Sequence, residues 1–359
     1  MSDPADLPHD MRAWRVHAFG PDPKAALRLE EVAVPEPGPG ELLVRVQAAP
    51  LNLNDLDRVT GQNMMAPPTL PAVPGMEVLG VVVAAGEGAG DRLGTRVVAM
   101  SKTAVGGFAE YAICPSVSAF PMPEDVPLPG AAALYFPFHL AWLGLVDRAK
   151  LGAGESVLVH AGAGGAGSAA IQLAKHLGAR VIATAGGEAK VALCRELGAD
   201  VALDYTQGTF QPAVLEATGG RGVDVVFDGV GEAVMEESLR CTAYDGRYLM
   251  MGFASDKRFA DEKLIVPRRI STGNLQLCGV LLAYADPAMA GAMKQAMGWN
   301  FVPAERGRTI MAEIVELARA GRIAPVVGST VGFEALPDAL VALRDRATTG
   351  RTIVEIQTP

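Results

Sequence analysis

One stretch of the chain, VLVHAGAGGAGSAAIQLAKHLGARVIATA, constrains the fold more than any other. A short apolar run at residues 156–160 leads into Gly162, Gly164 and Gly167, which form a G-x-G-x-x-G pattern before a segment of helical spacing and a second apolar run. Such a turn lets the backbone approach a pyrophosphate closely and points helix N–H groups at the anion. The stretch predicts a dinucleotide-binding strand–helix–strand unit; a glycine-rich turn without a ligand is the alternative.

The same alternation continues after this unit. From residue 155 to about 280, short runs rich in Val, Ile and Leu alternate with segments of helical periodicity. The predicted strands are residues 156–160, 180–184, 200–203, 223–227, 247–251 and 275–280, with helices at 165–177 and 189–197. Apolar strands separated by helices are typical of βαβ units around a buried parallel sheet. Right-handed crossovers then predict a doubly wound α/β domain.

The chain on either side of this region has a different character. Residues 11–120 are predicted to be β-rich and irregular, because their short apolar runs are interrupted by Pro and Gly clusters. After residue 304, helices at 308–320 and 336–346 alternate with strands at 325–331 and 351–357. The prediction is a β-rich domain, an α/β domain, and a C-terminal piece that packs on one of them.

Composition and charge argue against several classes of function. The 359 residues carry a formal net charge of −9 with no block of like charges, which disfavours nucleic acid or a membrane surface as partner. The four cysteines lie far apart, the N-terminus has no apolar core, and the longest apolar run, residues 131–146, is too short to span a membrane. The sequence predicts an acidic cytoplasmic protein.

The end of the second predicted strand bears on the choice between NAD and NADP. NAD-binding domains usually carry an acid there, which accepts hydrogen bonds from the ribose hydroxyls. Here the strand runs into residues 184–187 (TAGG), and Glu188 lies further on, in a predicted first helical turn. Lys190 follows, and a cation beside small residues suits a 2′-phosphate better than a hydroxyl. A solvated helix lysine is an equally good interpretation of Lys190.

Several motifs, in the same order along nearly the whole chain, resemble those of the quinone oxidoreductase branch of the medium-chain dehydrogenase/reductase superfamily. They are PLNLNDLDRVTG, LPAVPGMEVLGVVVAAG, HAGAGGAG, FDGVG, MGFAS and DRATTGRTIVEI. The resemblance implies a GroES-like catalytic domain at residues 1–138, completed by about 300–359, and a Rossmann NADPH-binding domain at residues 139–299. It also implies a homodimer, for which the strand at 274–280 is a candidate edge.

The resemblance further implies which residues hold the cofactor. Lys190 and Arg346 match residues near the 2′-phosphate in quinone oxidoreductases, and Tyr205 matches a tyrosine near the adenosine. With these matches, NADPH becomes the favoured cofactor. The other cofactor-binding candidates belong to the glycine loop, to strand ends near the nicotinamide and to the first motif: Gly164, Gly165, Ala166, Gly167, Val230, Gly252, Phe253 and Asn52.

Met76 marks the main departure from the zinc enzymes of this superfamily. It stands where their Gly-His-Glu motif has a histidine ligand, before Glu77, and no cysteine precedes Cys114. A thioether is a poor zinc ligand, and the four-cysteine structural site is missing as well. Without a metal, oxidation of an unactivated alcohol loses its Lewis acid. The expected reaction is hydride transfer from NADPH to a small-molecule electron acceptor, a quinone or an activated α,β-unsaturated carbonyl.

Two residues are candidates for contact with the reacting groups. Asn52 matches a polar family position near the nicotinamide and could hydrogen-bond the cofactor or the acceptor, although it could also hold a turn. His139 could line the cleft as a donor, but a core histidine is the simpler interpretation. Asp55 is interpreted as structural, and His160 as a packing residue. Two other functions remain open: an enoyl-thioester or alkenal reductase, and a low-turnover NADPH-binding interaction protein.

Overall fold

The computed structural model describes residues 7–62, 67–252 and 267–356 of the chain. These divide into two compact units: the first runs up to Tyr135 and resumes at 283–315 and from 327 onward, and the second covers 136–282 and 316–326. The division differs from the sequence-based boundaries in three places. Residues 283–299 group with the first unit rather than with the α/β domain, and residues 136–138 and 316–326 group with the second.

The helices and strands follow one another along the chain as follows. The first unit opens with β1 (Asp10–Val16), α1 (Pro23–Ala26), β2 (Leu27–Ala33), β3 (Glu41–Pro50), α2 (Leu53–Thr60), β4 (Glu77–Ala85), β5 (Arg96–Met100), β6 (Tyr111–Pro115), β7 (Ala119–Pro121) and α3 (Gly130–Ala133). Then come α4 (Tyr135–Trp142), β8 (Ser156–Val159), α5 (Gly165–His176), β9 (Arg180–Ala185), α6 (Glu188–Glu196), β10 (Val201–Asp204), α7 (Gln211–Ala217), β11 (Val223–Asp228), α8 (Glu232–Arg240), β12 (Thr242–Met250), α9 (Pro267–Gly273) and β13 (Gln276–Gly279). The last elements are β14 (Tyr284–Ala285), α10 (Pro287–Met297), β15 (Val302–Pro303), α11 (Ala304–Arg319), β16 (Val327–Gly332), α12 (Leu336–Arg344) and β17 (Arg351–Glu355).

A seven-stranded sheet forms the centre of the first unit. Its strands lie in the order β16-β17-β3-β4-β5-β7, and β6 also pairs with β3. β3 is buried along most of its length, as its run of apolar residues requires. The C-terminal strand β17 lies antiparallel to β3, with Ile353 opposite Pro50. This pairing brings the end of the chain next to the residues that follow β3.

A six-stranded sheet forms the centre of the second unit. The order is β10-β9-β8-β11-β12-β13, and every neighbouring pair is parallel. Val157, Leu158 and Val159 in the middle strand β8 are fully buried, as expected for a parallel sheet with both faces covered. β13 lies at the edge, where residues 274–280 were predicted to lie. The predicted fold class, a β-rich domain with a doubly wound parallel-sheet domain, is confirmed.

The 16-residue apolar run predicted to be a buried segment is buried. It forms α3, α4 and part of a π-helical stretch, Leu143–Arg148. Gly144 packs against the sheet of the second unit, since a β-carbon there would lie 3.3 Å from Leu249 Cδ1. No helix among the described residues is long and apolar enough to cross a membrane.

Candidate functional site

The glycine loop joins β8 to α5 in a tight turn. Ala161 has a φ of 52°, and its carbonyl oxygen accepts a hydrogen bond from Gly164 N at 2.9 Å. α5 then begins at Gly165, so that Gly165, Ala166 and Gly167 form its first turn. The first N–H groups of any helix have no intrahelical acceptor. The loop therefore has the arrangement that a pyrophosphate needs, with backbone donors at the start of a 12-residue helix.

Two of the glycines are required by close packing. A β-carbon at Gly167 would lie 2.2 Å from the carbonyl oxygen of Ala161, so that no side chain fits between helix and loop. A β-carbon at Gly162 would lie 2.8 Å from Cys194 Sγ and 3.1 Å from Ala183 Cβ. These contacts explain why the loop is glycine-rich, and they hold the start of α5 against the end of β8.

Tyr205 and Lys190 lie at the end of β9, where the adenosine side of the cofactor is predicted to bind. A β-carbon at Gly186 would lie 2.7 Å from Tyr205 Oη, which shows that the tyrosine packs directly on this glycine. Asp204 Oδ1 accepts a hydrogen bond from Gly187 N at 3.0 Å, and this bond lowers the pKa of Asp204. Lys190 lies in the first turn of α6.

Asp228 shapes the loop after β11, which contains Val230. Its buried carboxylate accepts hydrogen bonds from Val230 N at 2.7 Å and Gly231 N at 2.9 Å, and from Tyr248 Oη at 2.7 Å. Gly252 lies against the same loop, since a β-carbon there would lie 2.6 Å from the Gly229 carbonyl oxygen. Val230 and Gly252 therefore belong to one strand-end cluster.

Phe253 was predicted to belong to the same cofactor region as Val230 and Gly252. It lies outside the described residues. Its predicted contact with the nicotinamide stays a prediction.

The ring of His160 packs edge-on against Phe210, with 5.0 Å between ring centroids, as the sequence suggested, and it also has polar partners. It is buried, and both ring nitrogens are hydrogen-bonded: Nδ1 to Thr184 Oγ1 at 2.9 Å and Nε2 to Ser238 Oγ at 2.8 Å. Burial lowers the pKa of His160 to about 3, so the ring is neutral at physiological pH. The side chain links the end of β8 to β9 and α8.

His139, the second catalytic candidate, lies in α4 and is fully buried. Burial lowers the pKa of His139 to about 3, so the imidazole is neutral and carries one N–H donor. Its neighbour Leu140 is also buried. This environment favours the core-histidine interpretation over a charged or proton-transferring role.

Asn52, the first catalytic candidate, precedes α2 in the first unit and is 5% exposed. Its Oδ1 accepts a hydrogen bond from Arg351 Nη1 at 2.9 Å, and its Nδ2 lies 3.3 Å from Glu77 Oε2. Arg351 Nη2 donates to the same Glu77 oxygen at 2.6 Å. No sequence pattern predicts this triangle, because Arg351 is separated from its two partners by more than 270 residues.

Met76 and Glu77 are the two residues that the family resemblance compares with part of the metal site of the zinc enzymes. Met76 is buried, with Sδ 3.7 Å from Asn54 Nδ2. The buried Glu77 carboxylate is paired with the Arg351 guanidinium, with Nη2 2.6 Å from Oε2. Within residues 7–62, 67–252 and 267–356, no group of three or more His, Cys, Asp or Glu side chains is placed to hold a metal ion.

Asp55 caps the start of α2 from inside the core. Its Oδ2 accepts a hydrogen bond from Asn52 N at 2.8 Å, whereas its buried Oδ1 has no hydrogen-bond partner among the residues that the structure describes. Burial raises the pKa of Asp55 to about 6, against the pull of Arg58 and Arg351 and with a smaller contribution from Glu77. The structural role predicted for Asp55 agrees with this cap.

We expect the stability of the protein to carry a pH dependence from Asp55. In an unfolded chain an aspartate titrates near about 3.9. The folded state therefore binds the proton more tightly, and the stability contributed by protonation is present below that value and lost as pH rises through about 6. Asp55→Asn keeps an oxygen for Asn52 N and removes the charge. The melting temperature of Asp55→Asn minus that of the wild type should increase from pH 5 to pH 8. A difference that stays constant over this range would contradict the raised pKa assigned to Asp55.

Arg346 follows α12 in the first unit. It is exposed, with a φ of 55°, and its backbone N donates to the Leu343 carbonyl oxygen at 3.1 Å. The two cations predicted to meet one 2′-phosphate, Arg346 and Lys190, thus belong to different units.

Comparison with known proteins adds to this geometry. The alcohol dehydrogenase GroES-like domain family matches residues 38–124, and the zinc-binding dehydrogenase family matches residues 165–299. Rat quinone oxidoreductase-like protein 2 is 32% identical over 337 residues, 93% of this chain and 90% of that protein. The mouse synaptic vesicle membrane protein VAT-1 homolog is 30% identical over 345 residues, 96% of this chain and 83% of that protein.

A solved structure shares the fold over nearly the whole chain. A mycobacterial protein complexed with NADPH has a TM-score of 0.81 and 30% sequence identity, covering 96% of this chain and all of that one. A GroES-like domain joined to a Rossmann domain with a glycine loop defines a two-domain oxidoreductase. The chain belongs to the medium-chain dehydrogenase/reductase superfamily, among its quinone oxidoreductase-like proteins.

Proposed function

We propose that this protein is an NADPH-dependent oxidoreductase that transfers hydride to a quinone or an activated α,β-unsaturated carbonyl without zinc. The observation that carries the proposal is the loop from Ala161 to Gly167, which leaves no room for a side chain at Gly167 and begins a helix at the point where a pyrophosphate would bind. The similar mycobacterial structure that is complexed with NADPH supports the choice of cofactor.

In this proposal, different residues of the chain bind different parts of NADPH. The backbone donors of Gly165, Ala166 and Gly167 would hold the pyrophosphate, and Tyr205 would pack near the adenosine. Lys190 and Arg346 would bind the 2′-phosphate, because charged donors suit a phosphate and the strand end at residues 184–187 offers no acid. Val230 and Gly252 would lie near the nicotinamide. The bound cofactor supplies the hydride.

The chemistry proposed for the acceptor follows from the residues around Asn52. Met76 replaces the histidine ligand of the zinc enzymes, and Glu77 is neutralised by Arg351. Polarising an alcohol would need a Lewis acid that these residues do not provide. A quinone or an activated enone is electrophilic by itself. The protein then mainly has to hold acceptor and nicotinamide in contact, with Asn52 as a polar contact near the reacting end.

We expect the purified protein to contain no stoichiometric zinc. The physical reason is the ligand set: a thioether at Met76 and a carboxylate already paired with a buried guanidinium. Elemental analysis after extensive dialysis against zinc-containing buffer, then against metal-free buffer, should give well under about 0.1 zinc per chain. A yield of about one zinc per chain, abolished by Glu77→Gln, would show that a metal site exists despite Met76.

The reaction class is tested with a panel of acceptors. Wild type should oxidise NADPH with quinones or activated enones and should not oxidise simple alcohols with NADP. Asn52→Ala should lower turnover more than NADPH affinity, because its proposed contact is near the reacting end. Turnover confined to enoyl thioesters or alkenals would identify a different reductase of the same fold. NADPH binding without turnover of any acceptor would identify the interaction protein.

The same proposal includes a homodimer joined through the edge of the second unit's sheet. β13 is one of the two edge strands of that sheet, the other being β10. An edge strand presents unpaired backbone groups that can pair with a second copy. Sedimentation equilibrium measures the oligomeric state directly, and a monomer at micromolar concentration would contradict this part of the proposal.

A further inference from the structure

The second unit contains two neighbouring sets of buried, hydrogen-bonded polar side chains that no part of the proposed reaction uses. The first set joins Thr184 through His160 to Ser238, and the second joins Tyr248 to Asp228. All five residues are buried: Thr184 is 2% exposed, His160 2%, Ser238 0%, Tyr248 0% and Asp228 1%. Buried polar groups cost free energy unless they are hydrogen-bonded, so two such sets in one unit need a reason.

The direction of each hydrogen bond follows from the chemistry of the partners. Ser238 Oγ lies 2.7 Å from the Val234 carbonyl oxygen, which can only accept, and the Tyr248 hydroxyl donates its hydrogen to Asp228 at 2.7 Å. The single hydrogen of the Ser238 hydroxyl is therefore donated to Val234, and its oxygen is left to accept from His160 Nε2–H.

The other ring nitrogen of His160 then has the opposite role. With the proton on Nε2, Nδ1 must accept, and the Thr184 hydroxyl donates to it. The neutral ring that this tautomer requires agrees with the lowered pKa of His160. Every link of the first set thus runs from donor to acceptor in one direction, from the Thr184 hydroxyl through His160 and Ser238 to the Val234 carbonyl oxygen. Hydrogen bonds arranged in this way polarise and strengthen one another.

Together the two sets touch each of the three loops predicted to hold the cofactor. Thr184 is followed closely by Gly186 and Gly187, at the adenosine side. His160 is followed directly by the glycine loop, whose Gly162 N donates to the Thr184 carbonyl oxygen at 2.9 Å. In the second set, Asp228 binds the backbone N–H groups of Val230 and Gly231. The first set therefore ties the adenosine end and the pyrophosphate loop to α8, and the second set holds the nicotinamide-end loop that leads directly into the same helix.

We propose that His160, Ser238 and Tyr248 are positioning residues, which hold the three strand-end loops of the second unit in the one relative arrangement that a dinucleotide fits. The inference rests on the proposed function, since it assigns these residues to the affinity of the cofactor site. None of them is placed against the cofactor itself. Their effect should be the same for every dinucleotide, because the 2′-phosphate is bound by other residues.

The test compares two buried serines of the same unit. Ser238 belongs to the first set, whereas Ser156 lies at the opposite end of β8, where its hydroxyl donates to Asp224 at 2.8 Å. Both are at least 95% buried, so Ser238→Ala and Ser156→Ala remove comparable groups. Dissociation constants for NADPH and NADH are measured by quenching of protein fluorescence, and thermal denaturation reports the loss of stability of each variant.

Ser238→Ala should weaken NADPH and NADH by the same factor, roughly 3- to 10-fold, as expected for the loss of one buried hydrogen bond. Ser156→Ala should lower the melting temperature without changing either constant. His160→Phe and Tyr248→Phe should act like Ser238→Ala. His160→Gln, which keeps one donor and one acceptor, should recover part of the affinity.

The inference would be overturned if Ser238→Ala and Ser156→Ala lowered the melting temperature alike and left both constants unchanged. It would also be overturned if Ser238→Ala weakened NADPH alone. A wild-type protein that binds neither nucleotide would contradict the proposed function, and the inference with it. Failure of the inference is measured on the Ser238→Ala variant, whereas failure of the proposed function is measured on the wild-type protein, so the two can be distinguished.

Discussion

Gly167→Ala is expected to reduce NADPH affinity by roughly 5- to 150-fold, the range that corresponds to about 1–3 kcal/mol of overpacking. The added β-carbon would lie 2.2 Å from the Ala161 carbonyl oxygen and 2.8 Å from Gly162 Cα. Both are backbone atoms, which cannot rotate away as a side chain can. The loop must therefore shift relative to the start of α5, and the N–H groups that would hold the pyrophosphate shift with it.

The control for this variant is a second glycine within a helix. Gly291 lies in α10, and a β-carbon there has open space within 4 Å. Gly291→Ala should therefore leave NADPH affinity unchanged and should not lower the melting temperature, since alanine is a better helix former than glycine. Isothermal titration with NADPH measures both variants. Gly167→Ala protein that binds NADPH as wild type does would contradict the assignment of the loop.

The second large effect concerns the choice between the two nicotinamide cofactors. Wild type should bind NADPH more tightly than NADH. Lys190→Ala and Arg346→Ala should each weaken NADPH by roughly 10- to 150-fold, because each removes a charged hydrogen bond worth about 1.5–3 kcal/mol. NADH, which has no 2′-phosphate, should be nearly unaffected by either change. The contrast between cofactors separates a lost phosphate contact from general damage to the site.

Matched controls are available close to each cation. Arg344 lies two residues before Arg346 and pairs with Asp345 at 2.8 Å, and Lys175 of the second unit pairs with Asp200 at 2.9 Å. Arg344→Ala and Lys175→Ala remove the same kinds of charge and should change neither dissociation constant. Equal affinity of the wild type for NADPH and NADH would show that the 2′-phosphate is not recognised.

Much of the fold was determined by the sequence alone, because its signals are local. Each strand of the parallel sheet is a short apolar run, and each helix repeats its apolar residues every three to four positions. Glycines mark the turns between them. The predicted strand at residues 156–160 and helix at 165–177 are therefore close to the observed Ser156–Val159 and Gly165–His176. The G-x-G-x-x-G spacing also identified Gly167. Glycine is needed there because of a close contact with the Ala161 carbonyl oxygen, which belongs to the same short loop and is therefore a local feature.

The tertiary structure alone decided which buried polar groups meet. Arg351 reaches Asn52 and Glu77 only because β17 pairs with β3, and that pairing brings together residues about 300 positions apart. The packing role of His160 could be inferred from its apolar neighbours in β8, whereas its hydrogen-bond partners Thr184 and Ser238 come from elements 24 and 78 residues away. Periodicity records which face of an element is buried. It carries no information on which side chain of another element supplies the hydrogen bond, since that depends on register and on the packing of whole elements.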